Sequence, residues 1–524
     1  MGLQVGSTKE VEIRLQPDDL DQVEVILLKI RRKLNLDKGL TFYYKIIRKS
    51  IDARKSPVYV LRCLVSTSPF AVERSRAILP IPIKENCATC LIVGAGPAGY
   101  FAALELLALG IKPVILERGK DVRRRRRDLR AIQQDGTVNP HSNYCFGEGG
   151  AGTYSDGKLY TRSQKRGRII DILETLVEHG APSDILLDAH PHIGSNKLPQ
   201  IVSAIRETIE KNGGEVLFDQ CVSDFIFSDG KIIGLKTDEE KSFHADGVIL
   251  ATGHSARDIY KLCAQHKLYL EKKDFALGVR IEHPQPLIDK IQYGTKARPA
   301  SLPASSYALA CQVGDKGVFS FCMCPGGLIV PASTAPSELV VNGMSLSRRD
   351  SPYSNSGFVT AVDQDEMEER GYKGLFAHLD FQAELEKKFF QAGDGSQAAP
   401  AQRVTDFSKG KLSSDLSDSS YIPGIYSAPM HELLPEFIVS RMRTALKLFD
   451  QKMKGYYTRE AQLIGLESRT SSPIRIPRDK DTWMHKDAEG LFPCGEGAGY
   501  AGGILSAAMD GRNVARKVKE YLDA

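Results

Sequence analysis

Leu91-Ile-Val-Gly94-Ala-Gly96-Pro-Ala-Gly99-Tyr-Phe-Ala-Ala-Leu104 is the stretch from which the architecture of this chain can be inferred. A short apolar run passes directly into glycines with G-x-G-x-x-G spacing, and a run rich in Ala and Leu follows. This order predicts a β-strand, a tight turn and an α-helix. Gly94 allows the turn, Gly96 leaves room for a pyrophosphate beside the backbone, and Gly99 lets the helix pack on the strand.

The residues around this turn extend the pattern to a dinucleotide site. Pro97 and Ala98 open the helix, whose free N–H groups and positive dipole end would face the phosphates. A second apolar run at residues 113–116 ends in Glu117, about 20 residues beyond the glycines, where a carboxylate accepts hydrogen bonds from ribose hydroxyls. Arg118 follows this acid. We therefore predict a Rossmann-type βαβ unit that binds a dinucleotide.

Two later segments favour FAD over NAD as the dinucleotide. Residues 246–253 form an apolar strand that ends in Ala-Thr252-Gly253, and they resemble the strand that returns to FAD in glutathione-reductase-type folds. Residues 491–504 give another strand, glycine turn and helix start, and they resemble the closing FAD segment of such folds. The predicted cofactor is FAD.

The closing segment contains its own candidate contacts. An acid, usually Asp, holds the ribityl chain in such folds, and Glu496 occupies that place here. The helix predicted at residues 504–521 would aim its N-terminus at the flavin and stabilise negative charge on the reduced ring. The predicted contacts in this segment are Gly495, Glu496, Gly502, Gly503 and Ile504.

A glycine-rich block at residues 146–159 lies outside regular structure. It repeats the G-x-G-x-x-G letters, but no strand precedes it and no clear helix follows, so a second Rossmann turn is rejected. Adjacent glycines suggest backbone lying against a flat ligand such as the isoalloxazine ring, and a flexible loop is the alternative. The predicted contacts here are Gly149, Gly150, Gly152 and Thr153. Val222, at the start of a predicted strand, is included among the cofactor contacts.

The basic run at residues 121–130 follows the acid. It is expected to be a solvated helix from which Arg127 reaches the FAD phosphates, and a nucleic-acid patch is the alternative. The net charge of +5, from 70 basic and 65 acidic residues, gives no nucleic-acid footprint across the whole chain.

Candidates for catalysis are few. Arg469 and Arg475 are candidates for anchoring an anionic or carbonyl-bearing substrate. Cys324, in Cys322-x-Cys324, could be a thiol beside the flavin or a core cysteine. His283 lies with Arg280 and Glu282 in an apolar run, as part of a buried ion pair or of a substrate site.

Other chemistries are disfavoured. Cys87-x-x-Cys90 precedes the first strand rather than a helix, so a redox pair is not expected there. The sequence shows no His, Cys and carboxylate group with metal-ligand spacing, so no metal site is predicted.

Length and composition place the chain among multidomain globular proteins. A chain of 524 residues suggests two or three domains. No run of 18 apolar residues and no signal-peptide core occurs, so we expect a cytoplasmic protein without a membrane span. Its ten Cys are then expected to be reduced.

The predicted fold class is α/β: a discontinuous FAD-binding Rossmann-type domain, a mixed α+β substrate domain and a small N-terminal α+β domain. The expected N-terminal order is β-α-β-β over residues 1–86. The FAD-binding domain would comprise residues 87–270 and 471–524, and the substrate domain residues 271–470. A polar Ser/Asp/Lys loop is expected at residues 406–420.

Taken together, the motifs resemble the putative FAD-utilising dehydrogenases, a glutathione-reductase-like flavoprotein family. Besides the segments already quoted, the matching motifs are Arg48–Arg54, Gly253–Asp258, Phe275–Gln285, Phe321–Gly327, Asn342–Ser345, Ala399–Gln402 and Glu467–Pro473. The resemblance implies FAD binding and oxidoreductase activity on an unidentified small molecule. It assigns no catalytic base.

Hydride transfer at flavin N5 is the expected reaction, and NAD(P)H is left open as a second partner. The alternatives are a flavin monooxygenase that uses NAD(P)H, and a flavin-bearing protein that binds or modifies RNA. NADPH oxidation stimulated by an aromatic substrate would favour the first, and steeply salt-dependent tRNA binding would favour the second.

Overall fold

The computed structural model describes residues 7–71, 75–160 and 167–524. The N-terminal unit is an antiparallel sheet with strand order β1-β3-β2 and one covering helix. Its elements are β1 (Thr8–Leu15), α1 (Val23–Leu34), β2 (Tyr43–Asp52) and β3 (Val58–Ser66). This is the expected β-α-β-β order. Alternate residues of β1 and a helical stripe on α1 point into a shared apolar core, as the two periodicities require.

The N-terminal unit contacts two other parts of the chain. The backbone of Lys49 exchanges hydrogen bonds with Leu187 O and Ala189 N, both at 2.8 Å. The Tyr59 hydroxyl donates to Ser301 O at 2.9 Å, and Ser301 Oγ donates to Asp18 at 2.7 Å.

The next unit is a parallel sheet between helices. Its elements are β4 (Thr89–Val93), α2 (Pro97–Ala108), β5 (Lys112–Leu116), α3 (Val122–Gln134), α4 (Ile169–Glu178), α5 (Leu198–Lys211), β6 (Glu215–Leu217), β7 (Val222–Ser228), β8 (Lys231–Thr237), β9 (Ser242–His244), β10 (Gly247–Leu250) and α6 (Arg257–Gln265). Strands β7, β8 and β9 form a separate antiparallel sheet.

The remainder of the chain continues with elements β11 (Glu271–Lys272), β12 (Phe275–Pro284), α7 (Gln285–Tyr293), β13 (Ala310–Val313), β14 (Lys316–Cys324), β15 (Leu328–Pro331), β16 (Val341–Met344), β17 (Tyr353–Val362), α8 (Gln364–Glu369), α9 (Ala377–Gln391), β18 (Ala399–Arg403), α10 (Val404–Lys409), β19 (Ile425–Ser427), α11 (Met430–Leu433), α12 (Glu436–Lys452), β20 (Gln462–Glu467), β21 (Ile474–Arg475), β22 (Leu491–Pro493) and α13 (Ile504–Leu522).

Strand β22 joins the parallel sheet, whose order is β22-β10-β4-β5-β6. The strands carry continuous apolar runs because both faces are covered by helices. Helix α2 is buried along most of its length, and α13 packs directly on it. The C-terminal segment is therefore part of the same layer structure as the first glycine turn.

A seven-stranded sheet forms the other large unit, in the order β13-β14-β17-β12-β20-β18-β19. Its pairs are antiparallel except β18 with β19. The apolar residues of this sheet share one core with helices α9 and α12. Strand β12 lies at the centre of the sheet and is buried from Phe275 to His283.

The polar loop expected at residues 406–420 begins only after helix α10, and parts of it are buried. Helix α10 includes the first of these residues, and Ser413 and Ser420 are buried. Ser413 Oγ accepts a hydrogen bond from Arg403 N at 2.9 Å, and Ser420 Oγ donates to the buried Glu282. The polar composition of this segment serves to satisfy buried polar groups.

In the part of the chain that the structure describes, no helix combines the length and the apolar composition needed to cross a bilayer.

Candidate functional site

A cavity of about 410 Å³ lies between the parallel-sheet unit and the seven-stranded unit. It opens at the carboxyl ends of the parallel strands, where ligands of open α/β sheets bind. The predicted site residues that line it are Gly94, Gly96, Pro97, Ala98, Glu117, Arg118, Gly150, Gly152, Val222, Thr252, Gly253, Arg469, Glu496, Gly502, Gly503 and Ile504. The fold therefore brings together segments that are hundreds of residues apart in sequence.

Glycines leave much of this wall without side chains. A Cβ atom added at Gly96, Gly253, Gly502 or Gly503 would meet no protein atom within 4 Å, because each position faces open space. A large ligand can thus approach the backbone at these four positions. This cradle is the observation that shows that the residues present fit a dinucleotide.

Two other glycines of the first turn have structural roles. Gly94 has a φ of +104°, and an added Cβ would lie 2.9 Å from Ala251 O. An added Cβ at Gly99 would lie 2.0 Å from Gly94 O, so any side chain would push α2 away from β4. Gly99 packs as its spacing predicts and lies outside the cavity lining.

Two helix N-termini face the cavity. Gly96 is the N-cap residue of α2 and Gly503 that of α13, and both line the cavity. An added Cβ at Gly511 of α13 would lie 2.0 Å from Ala98 O, so the helices cross at very close range. Their free N–H groups and positive dipole ends converge on the same space, which makes it a site for negative charge.

Glu117 links the cavity wall to two neighbouring loops. Its carboxylate accepts hydrogen bonds from the backbone N–H groups of Ala95 at 2.8 Å, Gly119 at 2.9 Å and Gly147 at 3.0 Å. A carboxylate oxygen has further lone pairs for a ribose hydroxyl. The acid therefore holds the first turn against the glycine-rich block and also reaches the cavity.

Arg118 contributes a donor to the same region. Its guanidinium lies 4.3 Å from the Phe146 ring centroid and pairs with Asp258 at 2.8 Å. Its buried Nε has no hydrogen-bond partner among the described residues. A ligand oxygen in the cavity would satisfy this donor.

The glycine-rich block is ordered and packed against the first turn. A 3-10 turn at Gly150–Gly152 lines the cavity. Gly149 N donates to Ala95 O at 2.8 Å, and an added Cβ at Gly149 would lie 1.9 Å from Thr153 Oγ1. Gly149 and Thr153 thus build the turn from behind and are not among the lining residues.

Arg127 is placed differently from its prediction. It is exposed on α3 and outside the cavity lining. Arg125, on the opposite face of this helix, is fully buried and donates to Asn143 O and Glu148 O, both at 2.8 Å. The correction follows from helical periodicity, because positions 125 and 127 lie on different faces.

Arg469 lines the cavity, but its guanidinium is already engaged. It donates to Glu386 at 3.0 and 2.8 Å, to Glu338 at 2.6 Å and to Thr334 at 2.5 Å. Glu386 is fully buried and also pairs with Arg257, and both arginines hold its pKa below the usual range against the effect of burial. Because these carboxylates already neutralise its charge, Arg469 is not available to anchor a substrate anion.

The other three catalytic candidates lie outside the cavity lining. Arg475 is 3.7 Å from Glu271, and His283 is fully buried with Nε2 2.9 Å from Tyr456 O. Cys324 is also fully buried, whereas Cys322 lines the cavity. Gly495, predicted as a cofactor contact, also lies behind the wall, where its N–H donates to Asp510 at 2.8 Å.

Lys158, His254 and Cys322 line the cavity and were not among the predicted site residues. His254 Nδ1 lies 3.2 Å from Glu496 Oε1, and its Nε2 lies 3.0 Å from Arg469 O. A sequence signal existed for His254, because it lies a few residues beyond the carboxyl end of β10, where ligands of such sheets bind. The positions of Lys158 and Cys322 in the cavity wall depend on long-range packing, so no signal for them exists in the sequence.

A possible metal-ligand group arises that sequence spacing could not reveal. Ligand atoms of His141, Cys221 and Asp238 lie within 4.8 Å of one another. Arg118 Nη2 is 3.5 Å from His141 Nδ1, and its positive charge opposes a cation there.

Comparison with known families identifies three segments. A model described as "FAD-dependent protein, C-terminal domain-like" matches residues 274–470, and one described as "FAD binding domain" matches residues 87–138. A domain of unknown function matches residues 7–65. An uncharacterized protein of Clostridium beijerinckii is 38% identical over 523 residues, covering 96% of this chain and 97% of that protein.

Solved structures resemble the chain more distantly. The crystal structure of FqzB covers 84% of this chain and 80% of its own at 12% identity, with a TM-score of 0.36. A geranylgeranyl bacteriochlorophyll reductase-like protein from Thermoplasma acidophilum gives the same coverage at 13% identity and a TM-score of 0.35. CtdE in complex with FAD gives 84% and 88% coverage, 12% identity and a TM-score of 0.33. Likenesses at this level say nothing about the chemistry of this chain.

Proposed function

The chain belongs to the same family as the uncharacterized Clostridium beijerinckii protein, it uses FAD as its cofactor, and on this premise we propose that it is a dehydrogenase-type oxidoreductase. Its reaction would be hydride transfer between a small-molecule substrate and flavin N5. We further propose a glutathione-reductase-like layout, in which residues 87–270 and 471–524 bind FAD and residues 271–470 cover the flavin. The pairing of β22 with β10 supports this layout.

One observation carries the proposal. The cavity has two helix N-termini and four open glycine positions on the side of the parallel sheet, and residues of β14 and β16 on the other side. The first side suits an extended anionic dinucleotide. The second side, which includes Phe321, Cys322 and Asn342, gives a wall against which a substrate can be positioned.

FAD, when bound, supplies the hydride chemistry. The N-terminus of α2 would hold its phosphates, and the N-terminus of α13 would stabilise negative charge on the reduced ring. Glu117 would hold a ribose hydroxyl, and Arg118 Nε would donate to a ligand oxygen. The enclosing second unit would limit the access of water, which strengthens each of these interactions.

His254 and Glu496 are proposed to handle a proton at the cavity wall. A carbonyl oxygen only accepts, so the contact of Nε2 with Arg469 O places a proton on Nε2. The other ring nitrogen, Nδ1, lies 3.2 Å from a Glu496 oxygen, so a carboxyl group stands beside the imidazole. The pair can therefore give a proton to a substrate or take one from it.

The Arg469 cluster is proposed to position this pair. Buried ion pairs with Glu386 and Glu338 fix the Arg469 side chain. Its backbone carbonyl is the acceptor that orients the imidazole of His254. This role replaces the substrate-anchoring role predicted for Arg469.

Gly96→Val tests the cofactor site. The Cβ of the new side chain would meet no protein atom, and the side chain would occupy the space needed by the pyrophosphate, so we expect a folded and colourless protein. Flavin absorbance per chain measures this loss. Gly39→Val is the matched control, because Gly39 is exposed, far from the cavity lining and equally free of neighbouring atoms. Full FAD content in Gly96→Val would contradict the proposed site.

The electron donor and the substrate class need a second experiment. Anaerobic bleaching of the flavin across a panel of metabolites, with NADH and NADPH included, would report both. We expect at least one metabolite to bleach the flavin of the wild type. A flavin that is bleached by none of them, but reacts with oxygen and NADPH in the presence of an aromatic compound, would instead indicate a monooxygenase.

A further inference from the structure

Two cysteines of β14 stand at the boundary between the cavity and the core of the seven-stranded unit. Cys322 lines the cavity, and Cys324 is fully buried behind it. The register of β14 with β17 shifts between Phe321 and Cys324, and Cys322 has a φ of +44°. A non-glycine residue in this conformation is uncommon, and bulges of this kind redirect side chains next to functional sites.

The two thiol groups are close enough to react with each other. Cys324 Sγ lies 3.3 Å from Cys322 O, which places its thiol beside the Cys322 residue. Residues two apart in a strand are separated by about 6.6 Å, near the upper end of the Cα separation of about 4.4–6.8 Å in disulfides. Both cysteines are free thiols in this structure. A disulfide between them requires only a local change of the bulge.

Positive charge surrounds the pair. Lys158 donates a hydrogen bond to Met323 O, between the two cysteines. Arg280, fully buried, donates to Cys322 O at 3.1 Å and is paired with Glu467. The hydrogen bond from Cys324 lowers the pKa of Cys322, and Lys158 and Arg280 add to this effect against the effect of burial. The same hydrogen bond and burial raise the pKa of Cys324.

The two thiols therefore suit different roles in a thiol–disulfide reaction. Cys322 is exposed to the cavity and favours the thiolate, which is the reactive form. Cys324 keeps its proton and lies in position to close the disulfide. This division resembles the general arrangement in which an attacking thiolate is followed by a resolving thiol.

We propose that Cys322 and Cys324 form a redox-active dithiol–disulfide pair that exchanges two electrons with the FAD of the adjoining cavity. The proposal rests on the proposed function, because FAD must occupy the cavity. In the oxidising direction, the Cys322 thiolate and the Cys324 thiol form one S–S bond. The two electrons and the Cys324 proton pass to FAD, which becomes the FADH⁻ anion, so that atoms and charge balance.

Such a pair stores electrons between the two half-reactions of the enzyme. A substrate could reduce the flavin once, and the pair could hold that electron pair while the flavin is reduced again. The pair is distinct from Cys87-x-x-Cys90, because Cys90 is fully buried in β4 and neither of those residues lines the cavity.

Anaerobic reductive titration of the air-oxidised holoprotein with dithionite tests this inference. The wild type should take up about two equivalents of dithionite per FAD, one for the flavin and one for the disulfide. Cys322→Ser should take up about one. Cys311→Ser is the matched control and should behave as the wild type, because Cys311 lies on the edge strand β13 of the same sheet and outside the cavity lining.

Differential alkylation of the wild type gives a second readout that needs no variant to fold. The air-oxidised holoprotein is denatured in the presence of iodoacetamide so that every free thiol is blocked, it is then reduced, and new thiols are labelled with N-ethylmaleimide before peptide mass analysis. We expect the second label on Cys322 and Cys324. A second label on neither residue, or a disulfide that joins another pair such as Cys145 and Cys221, would overturn the proposal.

The two proposals fail in different ways. A wild type that binds FAD and is bleached by a metabolite, but takes up only about one equivalent of dithionite, would overturn the dithiol pair and leave the oxidoreductase standing. A wild type that holds no FAD would overturn both.

Discussion

Individual side chains show how burial separates structural from reactive groups in this protein. His283 lies in the central strand β12 with no exposed surface, and it was a catalytic candidate because it sits in a charged triplet. Its Nε2 contacts Tyr456 O at 2.9 Å, and its ring is 4.7 Å from the Tyr456 ring. Burial lowers the pKa of His283 to about 4. The neutral imidazole is thus part of the core.

His283 predicts a pH dependence of stability. The pKa of His283 is about 6.5 in the unfolded chain and about 4 in the folded protein. As the pH falls through this window, the unfolded chain takes up a proton that the folded protein does not, so the stability of the folded protein falls. The loss attributable to this residue is about 3 kcal/mol on going from pH 7 to pH 4. Urea unfolding of the wild type and His283→Gln at several pH values measures this loss. The free energy of unfolding of the variant should fall less than that of the wild type between pH 7 and pH 4.

His244→Gln provides the comparison for this experiment. His244 is on the exposed face of β9, so its removal should leave the pH dependence of the wild type in place. Identical slopes of stability against pH for the wild type and His283→Gln would contradict the interpretation.

At this scale the sequence identifies residue types well and their surroundings poorly. The glycines of the first turn have the positions that their spacing predicts, because a turn depends on local backbone geometry. Arg469 lies in the cavity wall as its sequence neighbourhood suggests, but Glu386, which neutralises it, is contributed by α9. Likewise, the choice between Cys322 and Cys324 depends on a bulge whose register is fixed by β17.

Among the elements, the crossing of α2 and α13 determines the shape of the cavity. The two helices start at the cavity and approach each other through Gly511, where an added Cβ would lie 2.0 Å from Ala98 O. This contact places both N-termini at the same ligand. The distance between the helices is therefore a determinant of cofactor binding as well as of packing.

Gly511→Ala should separate the two helices. Because the Cβ meets backbone rather than a flexible side chain, α13 must shift, at a cost of about 1–3 kcal/mol. We expect weaker FAD retention and a lower midpoint of urea unfolding, measured by flavin release and by circular dichroism. Glu520→Ala, on the exposed side of the same helix, should change neither quantity. Unchanged FAD affinity in Gly511→Ala would mean that the crossing does not set the site.

Most elements of the parallel-sheet unit follow from the sequence, because apolar strands and amphipathic helices have distinct periods. The strand predicted at residues 246–253 is β10, and the helix predicted at residues 504–521 is α13. In the seven-stranded unit, by contrast, the polar composition of residues 406–420 does not indicate exposure, because Ser and Asp satisfy buried groups there. Such partners come from distant segments and leave no local pattern.

For the whole molecule, the cavity couples the two large units thermodynamically. FAD would contact the parallel-sheet unit, β14 of the seven-stranded sheet and β16 of the separate two-stranded sheet β15-β16 at once. A ligand that binds only the folded form stabilises it by about 2.7 kcal/mol at one hundred times its dissociation constant. The free energy of binding is therefore shared by both units.

FAD added back to the deflavinated protein should raise its melting temperature in a concentration-dependent manner. Differential scanning fluorimetry measures the shift, with tryptophan or dye fluorescence as the signal. Gly96→Val should show no shift at the same FAD concentrations, because the ligand has no room at α2. A shift of equal size in this variant would indicate that FAD binds elsewhere.

The order of the seven-stranded sheet is the part of the fold that the sequence does not predict. Strand β12 pairs with β17 and β20, which lie far away in the chain, and none of these pairings has a short turn as a signal. The mixed composition of residues 271–470 indicates that strands are present but does not indicate their order in the sheet. The cavity wall formed by this sheet was therefore beyond sequence reasoning, whereas the opposite wall was not.

The attachments of the N-terminal unit have a mechanical consequence. Lys49 is hydrogen-bonded to Leu187 and Ala189, between α4 and α5 of the parallel-sheet unit. Tyr59 and Asp18 are hydrogen-bonded to Ser301, which lies between α7 and β13. A hinge that widened the cleft would have to break one of these two attachments. The first domain of the chain thus bridges the two large units through hydrogen bonds to each.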